Sequence, residues 1–370
     1  MHRSGQFIRR LIASLSVLGL GAGLIVTAAG TAQAAVPDHW GFAFVSSPGA
    51  PGTPPLTHQR GSWPAPMKVT TMPGVVGQVF VRFPAIAAKG GVVHVTAVSS
   101  RPVWCQAQKW GPSGPAEVAS VRCFKAGGTP TFAPFTILFT TSSPGPFPPG
   151  RGYGYARFEP GHGLTARFNS AGAANAVTQL GTGAWRLVMP GVGTAALAGG
   201  VQVTAVDPAK PVRCELSGWT PTAAQQVFTV RCFNAGTAPV NTGWTLSYQR
   251  GRSIAGTEPK LFGYTFDNKP AVPGPYAPAP PAVSFSSAGG TNTILRAGAG
   301  LRLISFPRVG ALPDTVLVTA FAAGSGFCNL LSPWGTNGST HLVTVRDVAC
   351  YTAAGKPQNL RSLVSYASAL

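Results

Sequence analysis

The chain is expected to fold as an all-β protein, with three tandem β-sandwich or jelly-roll-like repeats behind an N-terminal signal peptide. Three observations carry this reading. A cysteine, a tryptophan and a second cysteine recur at Cys105, Trp110 and Cys123, at Cys214, Trp219 and Cys232, and at Cys328, Trp334 and Cys350. The recurrence has a period of roughly 110 residues, the long self-similarity that marks repeat architectures. The intervening chain consists of short alternating runs of β-branched and aromatic residues broken by turns, with no helical period outside the N-terminal segment.

Composition agrees. At 370 residues the chain is long enough for two or three domains, each with a sizeable core. Only 10% of residues are charged, against the usual quarter. There are 47 glycines and 35 prolines, but 45% of the chain is hydrophobic, which fits many tight strands and turns rather than a disordered polymer.

Met1 to Arg10 carries Arg3, Arg9 and Arg10 and no acid, Leu11 to Gly30 is apolar, and Ala32-Gln33-Ala34 gives a small-x-small cleavage site. Residues 1–34 therefore read as a signal peptide, leaving a secreted chain that starts Ala35-Val36-Pro37 and keeps no membrane attachment. Twenty apolar residues could also anchor in a bilayer; the glycines and the cleavage site favour removal. Arg9-Arg10 also fits a twin-arginine signal, although disulfides that form after export favour unfolded secretion. Cleavage removes three arginines and no acid, so the formal charge of +19 falls to +16. Such a surface suits anionic wall polymers or acidic glycans. Drift of composition toward arginine with no specific partner accounts for the charge equally well. Nucleic acid is not expected, because the basic residues are spread along the chain without aromatic or groove-reading motifs.

The repeats are placed at 35–140, 153–250 and 261–370, with linkers at 141–152 and 251–260 that favour beads over packing about a pseudo-threefold axis. Each copy opens on an aromatic-Gly-aromatic strand: Trp40-Gly41-Phe42, Tyr153-Gly154-Tyr155 and Phe262-Gly263-Tyr264. A variable segment follows. It is proline-rich in copy one (Ser47 to Leu56) and copy three (Lys269 to Pro281) and short in copy two. Phe168 and Phe285 begin F-N-S-A-G and F-S-S-A-G; copy one departs here, with Trp63 nearby. Strands then end in proline turns at Phe83-Pro84, Met189-Pro190 and Phe306-Pro307. V-x-V-T-A-[VF] recurs at Val93 to Val98, Val201 to Val206 and Val316 to Phe321, with the period of two of a strand. The cysteine hairpin comes next. Each copy closes on a strand whose aromatic (Phe139, Tyr248, Tyr366) lies 16 residues past the second cysteine.

Each copy holds two cysteines at matching places on either side of a polar turn, Thr220 to Ala224 in copy two. Antiparallel strands joined there bring the side chains within disulfide range, so the expected bridges are Cys105–Cys123, Cys214–Cys232 and Cys328–Cys350. Zinc is not expected: there is no C-x-x-C spacing and no companion histidine. No metal or cofactor is implied. Trp110, Trp219 and Trp334 are candidates for stacking on sugar rings, against the reading that each packs on its disulfide.

No segment specifies a biochemical activity. The nine acids include none that recurs in all three copies, so the facing carboxylates of a glycosidase are not visible. His94 corresponds to Gln202 and Leu317 and reads as a strand surface position. G-x-S-x-G, P-loop and H-E-x-x-H motifs are absent. Asn337-Gly338-Ser339 fits a glycosylation acceptor but reads better as a turn.

Taken together, F-N-S-A-G, the apolar-Pro-Gly turn, V-T-A-V, C-x4-W and V-R-C-F-N-A-G-x-A-P resemble a tandem repeat in secreted proteins of unknown function from high-GC bacteria. The resemblance covers nearly all of the mature chain and is closest over Tyr153 to Arg250. It implies structural motifs only, since that family has no assigned activity. The expectation is a non-enzymatic secreted protein with an adhesive or binding role at the cell envelope or matrix, toward an anionic polymer or glycan, for which the proline-rich segments are candidate loops. The alternatives are a secreted hydrolase using scattered acids, and a protease inhibitor or partner-binding protein.

Overall fold

The alternating and the continuous apolar runs become two different kinds of strand. In the computed structural model the described residues are 38–141, 147, 148, 150–256 and 259–370. The expected signal peptide lies outside them, as do parts of both expected linkers. Copy one supplies β1 (Trp40–Val45), β2 (Gln59–Gly61), β3 (Thr70–Pro73), β4 (Gln78–Phe83), β5 (Val92–Ala97), β6 (Val103–Ser113), β7 (Ala116–Lys125) and β8 (Phe135–Thr140). Copy two supplies β9 (Gly152–Glu159), β10 (Gly163–Asn169), β11 (Ala176–Gly181), β12 (Ala184–Pro190), β13 (Gly200–Val206), β14 (Val212–Trp219), β15 (Gln225–Asn234) and β16 (Gly243–Arg250). Copy three begins with β17 (Phe262–Asp267), β18 (Ser284–Ser286), β19 (Thr293–Gly298), β20 (Leu301–Phe306) and β21 (Asp314–Phe321). It ends with β22 (Phe327–Leu330), β23 (Gly335–Asn337), β24 (Leu342–Tyr351) and β25 (Arg361–Ser368). Two 3-10 turns, Leu56–His58 and Pro281–Val283, complete the described elements.

Each copy builds two sheets. The inner ones run β2-β1-β8-β5, β10-β9-β16-β13 and β18-β17-β25-β21. The outer ones run β3-β4-β7-β6, β11-β12-β15-β14 and β19-β20-β24-β22, with β23 beside β24. The two sheets of a copy face each other across an apolar core, so the fold is an all-β sandwich. In copy one Val79, Val81 and Phe83 of the outer sheet meet Ala43, Val45, Ile137 and Phe139 of the inner.

The aromatic-Gly-aromatic motif has a direct cause. Gly41, Gly154 and Gly263 pair with Phe139, Tyr248 and Tyr366 of the closing strands. A Cβ at these glycines would stand 3.1 Å from the Phe83 ring, 2.9 Å from Met189 Sδ and 2.8 Å from the Phe306 ring. The residue before each turn proline thus occupies the space that the missing side chain leaves. The cysteines are directly opposite in register, and all three expected disulfides are present. In copy two the hairpin turns between Trp219 and Gln225, as the spacing predicts.

The inner sheets differ from the expectation. β5, β13 and β21 are buried along their whole length, on both faces. One face covers the core of its own copy. The other packs against the inner sheets of the other two, so that β5, β13 and β21 are mutual neighbours around one line. There the backbone N–H of Val95 donates to Thr204 Oγ1 (3.1 Å), that of Val203 to Thr319 Oγ1 (2.9 Å) and that of Val318 to Thr96 Oγ1 (2.9 Å). Copy one leans on two, two on three, and three on one. The closed cycle defines a pseudo-threefold axis.

At the periphery each inner sheet continues into the outer sheet of the preceding copy. Val206 bridges Ala107, Phe321 bridges Leu216, and Val98 bridges Leu330, all in parallel. The residues two beyond the first cysteine and at the end of each V-x-V-T-A strand make these joints. The string of beads is therefore replaced by a ring, and the described residues from 38 to 370 fall within one compact unit. Nor is the second linker a loose spacer. Ile254 and Ala255 are buried among Trp40, Phe42 and Phe262, because that segment fills the seam between copies three and one.

Replacing Thr204 with the near-isosteric valine would leave the Val95 N–H without its acceptor in a buried site. Urea unfolding is expected to show a loss of about 1–3 kcal/mol, in a single transition shared by all three copies.

Candidate functional site

The three hairpin tryptophans are buried, at 8%, 6% and 4% exposure for Trp110, Trp219 and Trp334. Each shares a core with its disulfide and also touches, in the next copy's opening strand, the residue four past the first aromatic of the aromatic-Gly-aromatic motif. The Arg157 guanidinium lies 3.9 Å from the Trp110 ring centre, Phe266 lies 6.4 Å from Trp219, and Phe44 lies 5.9 Å from Trp334. They clamp one copy to the next, so a sugar would have to displace protein to stack on them.

His94 is corrected from a surface position to one of the most deeply buried polar groups, at 1% exposure. The reason is the second buried face of β5. Its Nε2 meets Ser247 Oγ of copy two at 2.8 Å, and its Nδ1 lies 3.4 Å from Thr204 Oγ1. Burial lowers its pKa to about 3, so the imidazole is neutral and serves as a seam hydrogen bond. A second histidine, His58, holds Asp314 of copy three at 2.8 Å, where Trp334 Nε1 also donates to the carboxylate at 2.9 Å. The serine-histidine pair thus has no carboxylate, and the histidine-carboxylate pair has no serine. Glu117 is fully buried, and burial raises its pKa to about 7 against the opposing Ala88 N–H and Arg157. No substrate reaches it there. Among the described residues no three His, Cys, Asp or Glu side chains gather as a metal site.

Chemistry accessible to a partner lies at one end of the axis. The residues preceding the first cysteines converge there: Trp104 and Phe327 meet edge to face at 5.4 Å, and Arg213 lies 4.5 Å and 5.3 Å from their ring centres. Arg213 Nη1 and Nη2 donate to the carbonyls of Ala235 (3.0 Å), Gly236 (2.6 Å) and Ser325 (3.3 Å). Burial lowers its pKa to about 10, with Glu215 opposing, so it keeps its charge. These three side chains and Cys105, Cys214 and Cys328 line a cavity of about 50 Å³ on the axis, room for a few waters.

Around this plug the loops that follow the second cysteines come together. A Cβ on Gly128 would lie 2.5 Å from Ala235 and 3.2 Å from Pro211, and one on Gly355 would lie 2.9 Å from both Ala126 and Pro102. The neighbours of these contact residues in the chain are Arg101, Lys125, Lys210 and Lys356, all exposed. Asp207, the acid closest in sequence, is tied into its own turn by the Ala209 and Lys210 N–H groups (2.9 and 2.7 Å) and by Thr242. Every described Asp and Glu is at least partly buried, while most Lys and Arg are exposed. This pole is what reading along the sequence missed: Arg101 and Lys125 flank one hairpin, but Lys210 and Lys356 from the other copies join them only once the ring closes.

Comparison with family models, curated proteins and solved structures finds no match to this chain. Among the described residues no helix is long and apolar enough to cross a membrane.

Two predictions separate structural from binding roles. Trp219→Ala should lower unfolding free energy by about 3–5 kcal/mol, measured by urea titration, as expected of a buried aromatic; a sugar-stacking role would leave stability intact. For His94 the folded pKa lies below the unfolded one, so stability is full above pH 6.5 and falls as pH drops toward 3. His94→Gln copies Gln202, which bonds Ser365 and Thr319 at the matching position. The variant should melt near wild type at pH 8 and gain about 2–3 kcal/mol over it at pH 4.5.

Proposed function

We propose that the mature chain is a secreted, non-enzymatic binding protein that holds an anionic polymer or acidic glycan of the cell envelope or matrix at the basic pole of its ring. The observation that carries this reading is the pairing of Arg101, Lys125, Lys210 and Lys356 around one end of the axis with a surface on which no described acid is fully exposed. A polyanion gains from several cations at once, and its association is screened by salt. Export is supported by the three disulfides, which persist in oxidising compartments, and by the leader-like sequence at 1–34. The rigid ring suits the role, because loops held on a fixed scaffold bind without losing further conformational freedom.

The test is retention on immobilised heparin and on poly(glycerol phosphate). Lys125→Asn installs the residue that Asn234 supplies at the matching place in copy two, and Arg101→Ser, Lys210→Ser and Lys356→Ala complete the set. The fourfold variant is expected to elute at clearly lower salt and to bind at least ~10-fold more weakly, with an unchanged melting temperature. A control neutralising Arg82, Lys89, Arg296 and Arg308 should bind as wild type. Equal losses in both variants would reduce the effect to net charge and end the case for a pole.

A further inference from the structure

The outer edges of the three outer sheets are equivalent in topology but not in cover. In copy one the proline-rich segment lies along β3: Gly52 N–H donates to Thr71 O (3.1 Å) and Thr71 N–H to Gly52 O (2.8 Å), an antiparallel bridge. In copy three the other proline-rich segment does the same to β19. Tyr276 and Ile294 exchange two bonds of 2.9 Å, and Arg296 N–H donates to Pro273 O (2.7 Å). These segments, expected as binding loops, are spent covering edges of their own sheets. Thr71 and Ile294 are buried under them.

The matching residue of copy two is Val177. Thr71, Val177 and Ile294 pair with Val81, Leu187 and Ile304, each two residues before the strand-ending apolar-Pro pair. The segment between β9 and β10 is only Pro160-Gly161-His162, too short to reach the edge. Val177 is half-buried, the rest of β11 is exposed, and Leu180 is open to solvent. No described residue bonds the Val177 N–H or carbonyl from the outer side. The strand Ala176-Val-Thr-Gln-Leu-Gly carries neither the lysine nor the proline that usually protects an edge.

We infer that β11 is a strand-addition site for an extended, proline-flanked peptide segment of a partner protein, which pairs antiparallel through Val177. The occupant's chemistry is read from the two edges that are filled. Both use a Pro-Gly-containing run that donates and accepts through one residue, Gly52 or Tyr276. Copy three receives its tyrosine hydroxyl at Asp267, beside Arg302. In copy two those two places hold Phe158 and Trp185, so a small or apolar side chain is selected over a hydroxyl or a charge. Arg186, exposed beside Thr178, disfavours a cationic segment. Main-chain bonds supply the affinity and the side chain above Val177 the choice.

The probe is the capped peptide SPGAPGTP, the sequence of residues 47–54 with the small Gly52 at the pairing position, added to the full mature chain. The two sites it fits in copies one and three are already filled. The Val177 amide should exchange freely in the protein alone and slow by at least ~10-fold with peptide. Val177→Pro removes only an outward-facing N–H, a change that edges tolerate; it should abolish peptide binding with little change in melting temperature. Where that variant does not fold, Thr178→Lys serves as the edge-blocking substitution. A Val177 amide already protected in the dilute protein, or unmoved by millimolar peptide, would overturn the assignment. Protection that grows with protein concentration alongside a dimer in light scattering would also overturn it, in favour of a second copy of this chain.

Discussion

The structure depends on three hydroxyl groups placed where strand backbones would otherwise be orphaned. Thr96, Thr204 and Thr319 each accept a hydrogen bond from the valine N–H of a neighbouring copy. Around the axis each of these N–H groups points out of the side of its strand at a side chain of the neighbouring copy rather than at another backbone, so no ladder satisfies it, and an unpaired buried N–H costs about 1–3 kcal/mol. A threonine supplies the acceptor while its methyl keeps the surroundings apolar. Because each hydroxyl serves a different copy, no copy can leave without breaking bonds on both sides.

Joining three copies in one chain lets each seam differ, and the seams do. At one equivalent position His94 meets Ser247 and Gln202 meets Ser365 (2.8 and 3.1 Å), while Leu317 packs with Leu138. Each pair is chemically matched, and an exchange of partners would leave a polar group against a leucine. The residue after the first cysteine behaves similarly. Gln106 and Asn329 donate to backbone carbonyls of the following copy. Glu215, at the same place, finds no hydrogen bond; burial raises its pKa well above the usual carboxylate range, against the pull of Arg213 and Arg231. The seam between copies two and three therefore shifts its acid toward the protonated form.

The sandwich and its staples were legible because they are local. Cys214 and Cys232 announce a hairpin by their distance from one turn, and Val93, Val95 and Ala97 announce a strand by alternation. The ring was not, because its signal is what the strands lack. V-V-H-V-T-A, G-V-Q-V-T-A-V and F-T-I-L-F-T carry no charge on either face, whereas Q-V-F-V-R-F, A-W-R-L-V-M-P and L-R-L-I-S-F of the outer sheets each carry an arginine. A strand without charge on either face is one buried on both, and weighing that would have moved His94 inside. The basic pole could not be read at all. Arg101 and Lys125 meet at the open end of one hairpin, but Lys210 and Lys356 join them only through contacts that the closed axis creates.

The same burial supports the proposal of a binding rather than a catalytic role. A catalytic carboxylate must be shifted in pKa and also reached by substrate. Here the two conditions fall on different residues. Glu117, Glu215 and Asp267 are shifted upward because the seams and cores enclose them, while Asp207 and Glu159, which keep some exposure, are held by their own turn and by Arg157. The fold encloses its few acids or ties them down within their copies, while most of its cations stay outside. A ring whose interior is fixed by matched seams can vary only at its ends and edges, and it is there that the accessible chemistry lies.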